Sequence, residues 1–245
     1  MVRNVANWHE YLLHKSGIRK RDHFVFRLAN GVEAEVPKTA LFTFKELFFT
    51  DDYFRGLPRG RFDDRPLTVV DIGANVGYFS LYVFARFPGS RVIAFEPIEG
   101  NFRLLEANRK RNAKLDWTLV RQAVFSKSGP LVLTMAPEDE YTADATIFDN
   151  ARGGKEITVH AVTLAEILET SVRGPVDYLK LDCEGAEYDV LYGCPSDLFE
   201  RIRTIVVETH PGREENQNKA ALEHYLTSVG YLTKTDAGAF IWAWR

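Results

Sequence analysis

An α/β fold with a doubly wound, mostly parallel sheet is predicted by the order of apolar segments in this sequence. From residue 67 onward, short strand-like runs alternate with helical segments, the pattern of parallel strands joined by helices. The first of these strands passes through Asp71 into a glycine turn that opens a helix, and the next strand ends in Glu96. With 245 residues, 45% of them hydrophobic, the chain is long enough for one large domain with a small extension.

Seven strands are expected in the main sheet, five of them parallel and the last two forming a closing antiparallel hairpin. The expected strands are 67–72, 91–95, 117–125, 176–182 and 202–208, followed by 231–235 and 239–244 in the hairpin. Helices are expected between them, at 77–87, 101–112 and 219–229. Because helices would then cover both faces of the sheet, its parallel strands would be buried.

Residues 1–60 are expected to form an N-terminal extension packed on the core, and residues 61–245 the main domain. The extension combines a charged segment, a hairpin signal around Ala29-Asn30-Gly31 and an apolar-aromatic helix, at 1–23, 24–36 and 43–49. In the main domain, strand-like runs at 131–135 and 157–162 bracket an inserted polar loop at 136–155. A loop of this length in a compact domain is usually functional or mobile.

The glycine turn and the acid that follows it predict a site for a nucleoside-bearing small molecule. Glycine lets backbone approach a ligand closely, and the helix N-terminus presents unpaired N–H groups to an anion. Glu96 lies about 20 residues beyond the turn, the usual distance for an acid that reads a ribose. The turn has the pattern Asp-x-Gly-x-Asn-x-Gly, formed by Asp71, Gly73, Asn75 and Gly77.

S-adenosylmethionine (SAM) fits this turn better than other nucleoside cofactors. The nicotinamide pattern G-x-G-x-x-G requires glycine where this chain has Asn75 and Tyr78, and the phosphate-binding pattern G-x-x-x-x-G-K-[ST] does not occur. A carboxylate at the end of the strand, Asp71, would repel a pyrophosphate but suits an ammonium or a sulfonium. SAM carries both cations, together with a carboxylate for the helix terminus and a ribose for Glu96.

Composition excludes several other classes of protein. The net charge of −3 gives no basic surface for nucleic acid. Cys183 and Cys194 do not make a disulfide framework, and no cysteine and histidine spacing resembles a zinc site. No apolar run reaches the length of a membrane span, and the first residues lack the apolar core of a signal peptide. A cytoplasmic protein is therefore expected.

The chain resembles the FkbM-type family of SAM-dependent methyltransferases from about residue 24 to its end. The stretches that carry the resemblance are Thr43–Phe48 with Tyr53, Asp71–Ser80, Phe95-Glu96-Pro97, Asn101-Phe102, Thr163-Leu164, Leu179–Glu187 and Val206–His210. The resemblance implies a Rossmann-like class I methyltransferase fold, a seven-stranded sheet that ends in an antiparallel hairpin. It also implies methyl transfer from SAM, mostly to oxygen.

The resemblance also implies which residues bind the cofactor. Asp71 and Gly73 would line the methionine moiety, with Asn75 and Ser80 near its polar end, on the turn that Gly77 completes. Glu96 would hold the ribose, and Asn101 would support that edge. Adenine would lie beside Gln122 and Ala123, at the end of the third sheet strand.

Four side chains at the ends of the fourth and fifth sheet strands are the candidates for catalysis: Asp182, Glu184, Glu208 and His210. A hydroxyl acceptor loses its proton during or after attack, and the ordinary pKa of histidine, about 6.5, suits a base. A structural role for His210 in its loop remains the alternative, and Asp182 is expected to face the cofactor or the acceptor. Glu187 is interpreted as an acid stabilised by the helix dipole. Since these residues show no metal-ligand spacing, no metal is assigned, although a divalent cation at the four groups remains an alternative.

The expected activity is methyl transfer from SAM to a hydroxyl of a small molecule, either a polyketide-like natural product or a saccharide. Tyr53, Tyr78 and Tyr141 are candidates for contacting the acceptor. One alternative is a SAM-binding regulatory module without catalysis. Another, methylation of nucleic acid, lacks both the expected motifs and a basic surface. The sequence sets neither the acceptor, nor an oligomeric state, nor whether the loop 136–155 closes over the site.

Overall fold

A computed structural model describes residues 5–18, 20–63, 65–135 and 155–245 of the chain. The N-terminal elements are α1 (His9–Lys15), β1 (His23–Arg27), β2 (Glu33–Pro37), α2 (Leu41–Thr50) and α3 (Asp52–Arg55). Strands β1 and β2 form the hairpin expected from the sequence, with Phe26 opposite Ala34. Its turn places Asn30 at φ 56° and Gly31 at φ 72°, the left-handed conformation that asparagine and glycine tolerate best.

Strands and helices alternate through the remainder of the chain. The first half contains β3 (Thr68–Ile72), α4 (Tyr78–Arg86), β4 (Arg91–Phe95), α5 (Glu99–Arg111), β5 (Asp116–Val120), β6 (Ala123–Val124) and β7 (Gly129–Met135). The second half contains β8 (Lys155–Val162), α6 (Leu164–Glu166), β9 (Tyr178–Leu181), α7 (Glu187–Tyr192), β10 (Thr204–Glu208), α8 (Lys219–Ser228), β11 (Leu232–Thr235) and β12 (Phe240–Trp244). No helix in these described segments is both long and apolar enough to cross a membrane.

The main sheet has seven strands in the order β11-β12-β10-β9-β3-β4-β5. Five neighbouring strands of this sheet, β10, β9, β3, β4 and β5, run parallel to one another. In contrast, β12 runs antiparallel to β10, and β11 runs antiparallel to β12. This confirms the doubly wound sheet and its closing hairpin. Ile72 lies opposite both Phe95 and Leu181, so the loops that follow β3, β4 and β9 leave the sheet at one edge.

The prediction of one strand over 117–125 is wrong beyond Val120. Val120 pairs with Phe95, the last residue of β4. Beyond that residue β4 offers the chain no further pairing partner. The chain turns, and Ala123 and Val124 pair instead with β8 in a separate three-stranded sheet of order β6-β8-β7. Of the predicted loop 136–155, residues 136–154 lie outside the described residues, and Lys155 opens β8.

Stacked aromatic rings join the N-terminal elements to α4. The ring of Phe44 lies 4.7 Å from that of Phe26, 4.5 Å from that of Phe48 and 5.4 Å from that of Tyr78. Offset and edge-on ring pairs at such distances stabilise a core beyond their buried area. The hairpin, α2 and α4 therefore form one packed layer, which places α3 beside the carboxyl edge of the sheet.

The turn after α3 packs directly on the indole of Trp242, and we predict a large cost for Gly56→Ala. A Cβ atom at Gly56 would lie 1.9 Å from the Trp242 ring, so the ring or the turn has to move. Overpacking of this kind costs about 1–3 kcal/mol, measurable by urea denaturation. In a Trp242→Leu background the cost of Gly56→Ala should fall, since neighbouring substitutions couple. Strictly additive costs would contradict the contact.

Candidate active site

A cavity of about 280 Å³ opens at the carboxyl edge of the sheet. One end lies against the turn after β3 and the end of β4, and the other against the residues that follow β9 and β10. Ligands of open parallel sheets bind at this edge because the loops on either side of a topological switch point leave a crevice there. The cavity thus joins the predicted cofactor residues to the predicted catalytic residues.

The glycines of the turn after β3 are required by packing within the protein. Gly73 and Gly77 have φ values of 71° and 88°, which disfavour other residues. A Cβ at Gly73 would lie 1.7 Å from the Asp182 carbonyl oxygen, and one at Gly77 would lie 2.5 Å from a methyl group of Leu105. The sequence-based interpretation is that the missing side chains leave room for a ligand. It is wrong at the two Cβ positions, because protein atoms occupy that space. Gly73 and Asn75 still line the cavity through other atoms.

Glu96 is a buried carboxylate fixed in place at the end of β4. Its Oε2 accepts a hydrogen bond from the Asn75 backbone N–H at 2.8 Å. Its Oε1 accepts one from the Ile98 N–H at 2.9 Å and one from the Asn101 amide at 3.3 Å. Burial raises the pKa of Glu96 to about 7, although these hydrogen bonds oppose the shift. Glu96, Asn75 and Asn101 all line the cavity.

Asp71 and Ser80 lie behind the cavity wall, and neither lines it. Both are fully buried, and the Ser80 hydroxyl donates to Asp71 Oδ2 at 2.6 Å. Burial raises the pKa of Asp71, while the nearby Lys180 ammonium opposes that rise. Gly77 also lies off the cavity. These three residues, Asp71, Ser80 and Gly77, therefore support the turn and do not line the cavity.

Lys180 is a site residue that reasoning from the sequence missed. Its Nζ donates to the carbonyl oxygen of Gly73 at 2.6 Å, and lies 3.4 Å from carboxylate oxygens of Asp71 and Asp182. Burial lowers its pKa, but the surrounding carboxylates raise it by more. The available signal was a lysine inside an otherwise apolar strand, because such a charge is rarely buried without partners.

The four predicted catalytic side chains meet at the other end of the cavity. Asp182, Glu184, Glu208 and His210 all line it. His210 Nε2 lies 3.7 Å from Glu184 Oε2, longer than a hydrogen bond. The hydroxyl of Tyr53, from α3, lies 3.0 Å from Asp182 Oδ2 and 2.8 Å from Glu208 Oε2.

Glu187 is fully buried beneath His210, in a role that a helix-dipole interpretation does not describe. It accepts hydrogen bonds from the backbone N–H groups of Cys183 and Gly185, and its Oε1 lies 2.9 Å from His210 Nδ1. Since a carboxylate only accepts, Nδ1 carries the proton and Nε2 points away from Glu187. Burial lowers the pKa of His210, but the Glu187 hydrogen bond and the charges of Glu187, Glu184 and Asp182 together raise it to about 9.

Ligand atoms of Asp182, Glu184 and His210 lie within 4.8 Å of one another, and within the described segments this is the group that could hold a metal ion. Oxygen and imidazole ligands suit Mg²⁺ or Mn²⁺. However, the Lys180 ammonium already balances Asp182 at 3.4 Å. A cation there would have to share that carboxylate with a buried positive charge.

The side wall of the cavity is apolar. Gln122 and Ala123, the residues predicted to lie beside adenine, line this wall together with Val124, Leu131 and Leu133 from the three-stranded sheet. Tyr78 also lines the cavity, but its hydroxyl donates to the Glu35 carbonyl oxygen at 3.2 Å. Tyr141 lies outside the described residues. The leucines of β7 were missed because sequence reasoning places that strand beside the site without identifying the face that it turns inward.

A seven-stranded sheet with this strand order, and with a cavity at the carboxyl ends of its central strands, defines the class I methyltransferase fold. The family model described as the methyltransferase FkbM domain matches residues 71–233. The chain belongs to this family of methyltransferases.

Named relatives agree with this assignment. The chain is 31% identical over 214 residues to the methyltransferase sdnD of Sordaria araneosa, covering 75% of this chain and 80% of the relative. It is 29% identical over 212 residues to the 31-O-demethyl-FK506 methyltransferase FkbM of Streptomyces tacrolimicus, with the same two coverages of 75% and 80%. A solved structure of methyltransferase FkbM from Methylobacillus flagellatus KT shares the fold, with a TM-score of 0.54 at 15% identity, over 82% of this chain and 48% of that one.

Proposed function

We propose that this methyltransferase transfers the methyl group of SAM to a hydroxyl of a small molecule, a natural product or a saccharide. The observation that carries the proposal is one cavity with a buried ribose-type acceptor, Glu96, at one end and Asp182 and His210 at the other. A cofactor held at the first end would present its reactive group toward the second. The relative from Streptomyces tacrolimicus, whose name denotes an O-demethyl substrate, supports oxygen as the acceptor atom.

The residues at the Glu96 end fit the parts of SAM. The Glu96 carboxylate suits a ribose, because Oε2 accepts from the Asn75 N–H and keeps a second lone pair for a ribose hydroxyl. Ala123 and Leu133 provide an apolar wall for adenine, and the turn at Gly73 and Asn75 would hold the methionine moiety. When bound, SAM supplies an electrophilic methyl group. Asp182 at the far end suits its positive charge.

The chain's own residues would then orient the acceptor and take up its proton. At neutral pH His210 is charged, because its pKa is raised to about 9, so its Nε2–H is a donor that can orient the acceptor oxygen. Asp182 accepts the hydroxyl proton, and Glu184 and Glu208 complete the acidic surroundings. Methyl transfer requires acceptor oxygen, methyl carbon and sulfur in line, and such fixed groups supply that alignment.

The first test of this proposal is calorimetric titration with SAM, S-adenosylhomocysteine and NAD, followed by methyl transfer. We expect the first two ligands to bind and NAD not to bind. SAM with a deuterated methyl group, incubated with hydroxyl compounds of the polyketide and saccharide classes, should yield a product whose label is an O-methyl group by mass spectrometry and NMR. SAM binding without turnover on any acceptor would favour a regulatory module. Label on nitrogen or carbon would refute O-methylation.

We further predict that turnover needs no divalent metal, because Lys180 already supplies the positive charge beside Asp182. Treatment with EDTA, followed by gel filtration into metal-free buffer, should change the rate by less than about twofold, a difference worth under 0.5 kcal/mol. Adding Mg²⁺ or Mn²⁺ back is the matched control. A rate that collapses with EDTA and returns with either ion would contradict this prediction.

A further inference from the structure

Tyr53 is held rigidly at the acidic end of the cavity by contacts on every part of the residue. Its ring lies 5.1 Å from the rings of both Phe79 and Phe240. Its backbone carbonyl oxygen accepts a hydrogen bond from the Tyr178 hydroxyl at 2.6 Å. The preceding carbonyl, that of Asp52, accepts one from the Trp242 indole at 3.0 Å. The position of the Tyr53 hydroxyl is therefore set by the core and not by the ligand.

The hydrogen bonds of that hydroxyl determine how many protons its neighbours hold. Tyr53 Oη is 3.0 Å from Asp182 Oδ2 and 2.8 Å from Glu208 Oε2. A phenol has one proton to donate, whereas an ionised carboxylate can only accept. If both carboxyls were ionised, one of these contacts would join two acceptors. Both contacts are full hydrogen bonds only when one carboxyl carries a proton and donates it to the phenol oxygen, while the phenol donates to the other.

The surroundings indicate which carboxyl holds the proton. The Lys180 ammonium lies 3.4 Å from Asp182 Oδ2, which places a positive charge beside that oxygen. Burial and the Asp182 charge raise the pKa of Glu208, despite the positive charge of His210 in the loop after β10. The pKa of the Tyr53 phenol is also raised well above its usual value, chiefly by burial and by the two carboxyls, so the phenol keeps its own proton.

We propose that Tyr53 is a positioning residue for methyl transfer, whose hydroxyl joins Asp182 and Glu208 into a pair that holds one proton at rest, on Glu208. Asp182 is then ionised and held in place to receive the acceptor's proton. This inference rests on the proposed function. It makes an N-terminal residue part of the catalytic arrangement, although the family model begins only at residue 71.

The step balances in atoms and in charge. The O–H bond of the acceptor breaks, and its proton goes to the Asp182 carboxylate. The acceptor oxygen forms a bond to the methyl carbon, the bond between that carbon and the sulfonium sulfur breaks, and its electron pair stays on sulfur. One positive charge on sulfur and one negative charge on Asp182 disappear together. A low-dielectric site favours a step that removes two opposite charges.

Three conservative variants and a control test the role of Tyr53 in turnover. Tyr53→Phe should lower kcat about tenfold or more, toward the range of lost acid–base groups, with the KM for SAM within twofold of the wild-type value. Asp182→Asn should lower kcat at least tenfold more than Glu208→Gln does, because a glutamine amide still donates to the Tyr53 oxygen. The control is Tyr82→Phe, which removes a hydroxyl that donates to Asp51, outside the cavity. Equal losses from Asp182→Asn and Glu208→Gln, or no loss from Tyr53→Phe, would overturn the inference.

Infrared difference spectra test the pairing without any acceptor. At neutral pH the carbonyl stretch of a protonated carboxyl should vanish in Glu208→Gln and shift in Tyr53→Phe. A band removed by Asp182→Asn but not by Glu208→Gln, or no difference in any variant, would overturn the inference. If the wild type methylates no hydroxyl, the proposed function fails, and these spectra still decide whether the pair holds one proton.

Discussion

Glu96→Ala is expected to weaken SAM binding about 10- to 100-fold, the loss of one charge-assisted hydrogen bond at about 1.5–3 kcal/mol. The Glu96 carboxylate is held by N–H groups of Asn75, Ile98 and Asn101 before any ligand arrives, so binding orders little that is not already ordered. Calorimetric titration with SAM measures the change. The matched control is Glu99→Ala, which removes a nearby acid that forms an exposed ion pair with Arg103. Unchanged affinity in Glu96→Ala would refute the ribose assignment.

SAM binding should also depend on pH through Glu96. Its pKa is raised to about 7, and a ribose diol donates to the ionised form. Affinity should therefore be constant well above pH 7 and fall toward tenfold per pH unit below it. The stability of the protein without SAM should show the opposite trend. Since the pKa of Glu96 in the folded state exceeds the ordinary value of 4.5, the folded protein binds the proton more tightly than the unfolded chain. It therefore loses stability as pH rises between 4.5 and about 7. Glu96→Gln should bind weakly at every pH, and a slope that survives in it would assign the pH effect elsewhere.

His210→Ala is expected to lower kcat about 100-fold, the lower end of the range for acid–base groups, and to leave SAM affinity within twofold. The imidazole lies at the acceptor end, and Glu187 holds its Nδ1 at 2.9 Å, so its loss disturbs the acceptor and not the cofactor. Steady-state kinetics and calorimetry separate the two effects. His224→Ala, on the exposed side of α8, is the control.

The pH profile distinguishes a charged from a neutral His210. With a pKa raised to about 9, an imidazolium that donates to the acceptor predicts wild-type activity that falls as pH rises through 9. That alkaline limb should be absent from His210→Ala. A wild-type rate that instead rises through pH 9 would mean that neutral His210 is the base, and Asp182 would then lose the role proposed for it.

The glycine turn shows both what a motif predicts and where it stops. The spacing of Asp71, Gly73 and Glu96 predicts a strand, a turn and a second strand end at one edge of a sheet, and the structure places them there. Local geometry follows from sequence because positive φ at a turn selects glycine. The spacing does not reveal that the Asp182 carbonyl, more than a hundred residues later, closes against Gly73. It also places Asp71 beside the ligand, whereas Asp71 lies behind Lys180.

The roles that reasoning from the sequence missed at the site are those that depend on distant partners. Glu187 has the sequence context of an acid that begins a helix, yet the fold places it under His210. Lys180 lies in an apolar strand, and only the neighbouring strand and the turn after it show which groups its charge balances. In both cases the interacting partner comes from another strand or loop, so a local sequence pattern cannot predict the contact.

The sequence by itself determined the class of fold, the edge of the sheet that carries the site, and four acidic or basic groups at the strand ends. These follow from hydrophobic periodicity and from the fact that parallel strands end together. The tertiary structure alone decided that Tyr53 of the N-terminal segment joins Asp182 to Glu208, and which groups are buried deeply enough to shift their pKa. Burial and proton sharing depend on atoms brought together from all parts of the chain, and their energies are absent until the chain is folded.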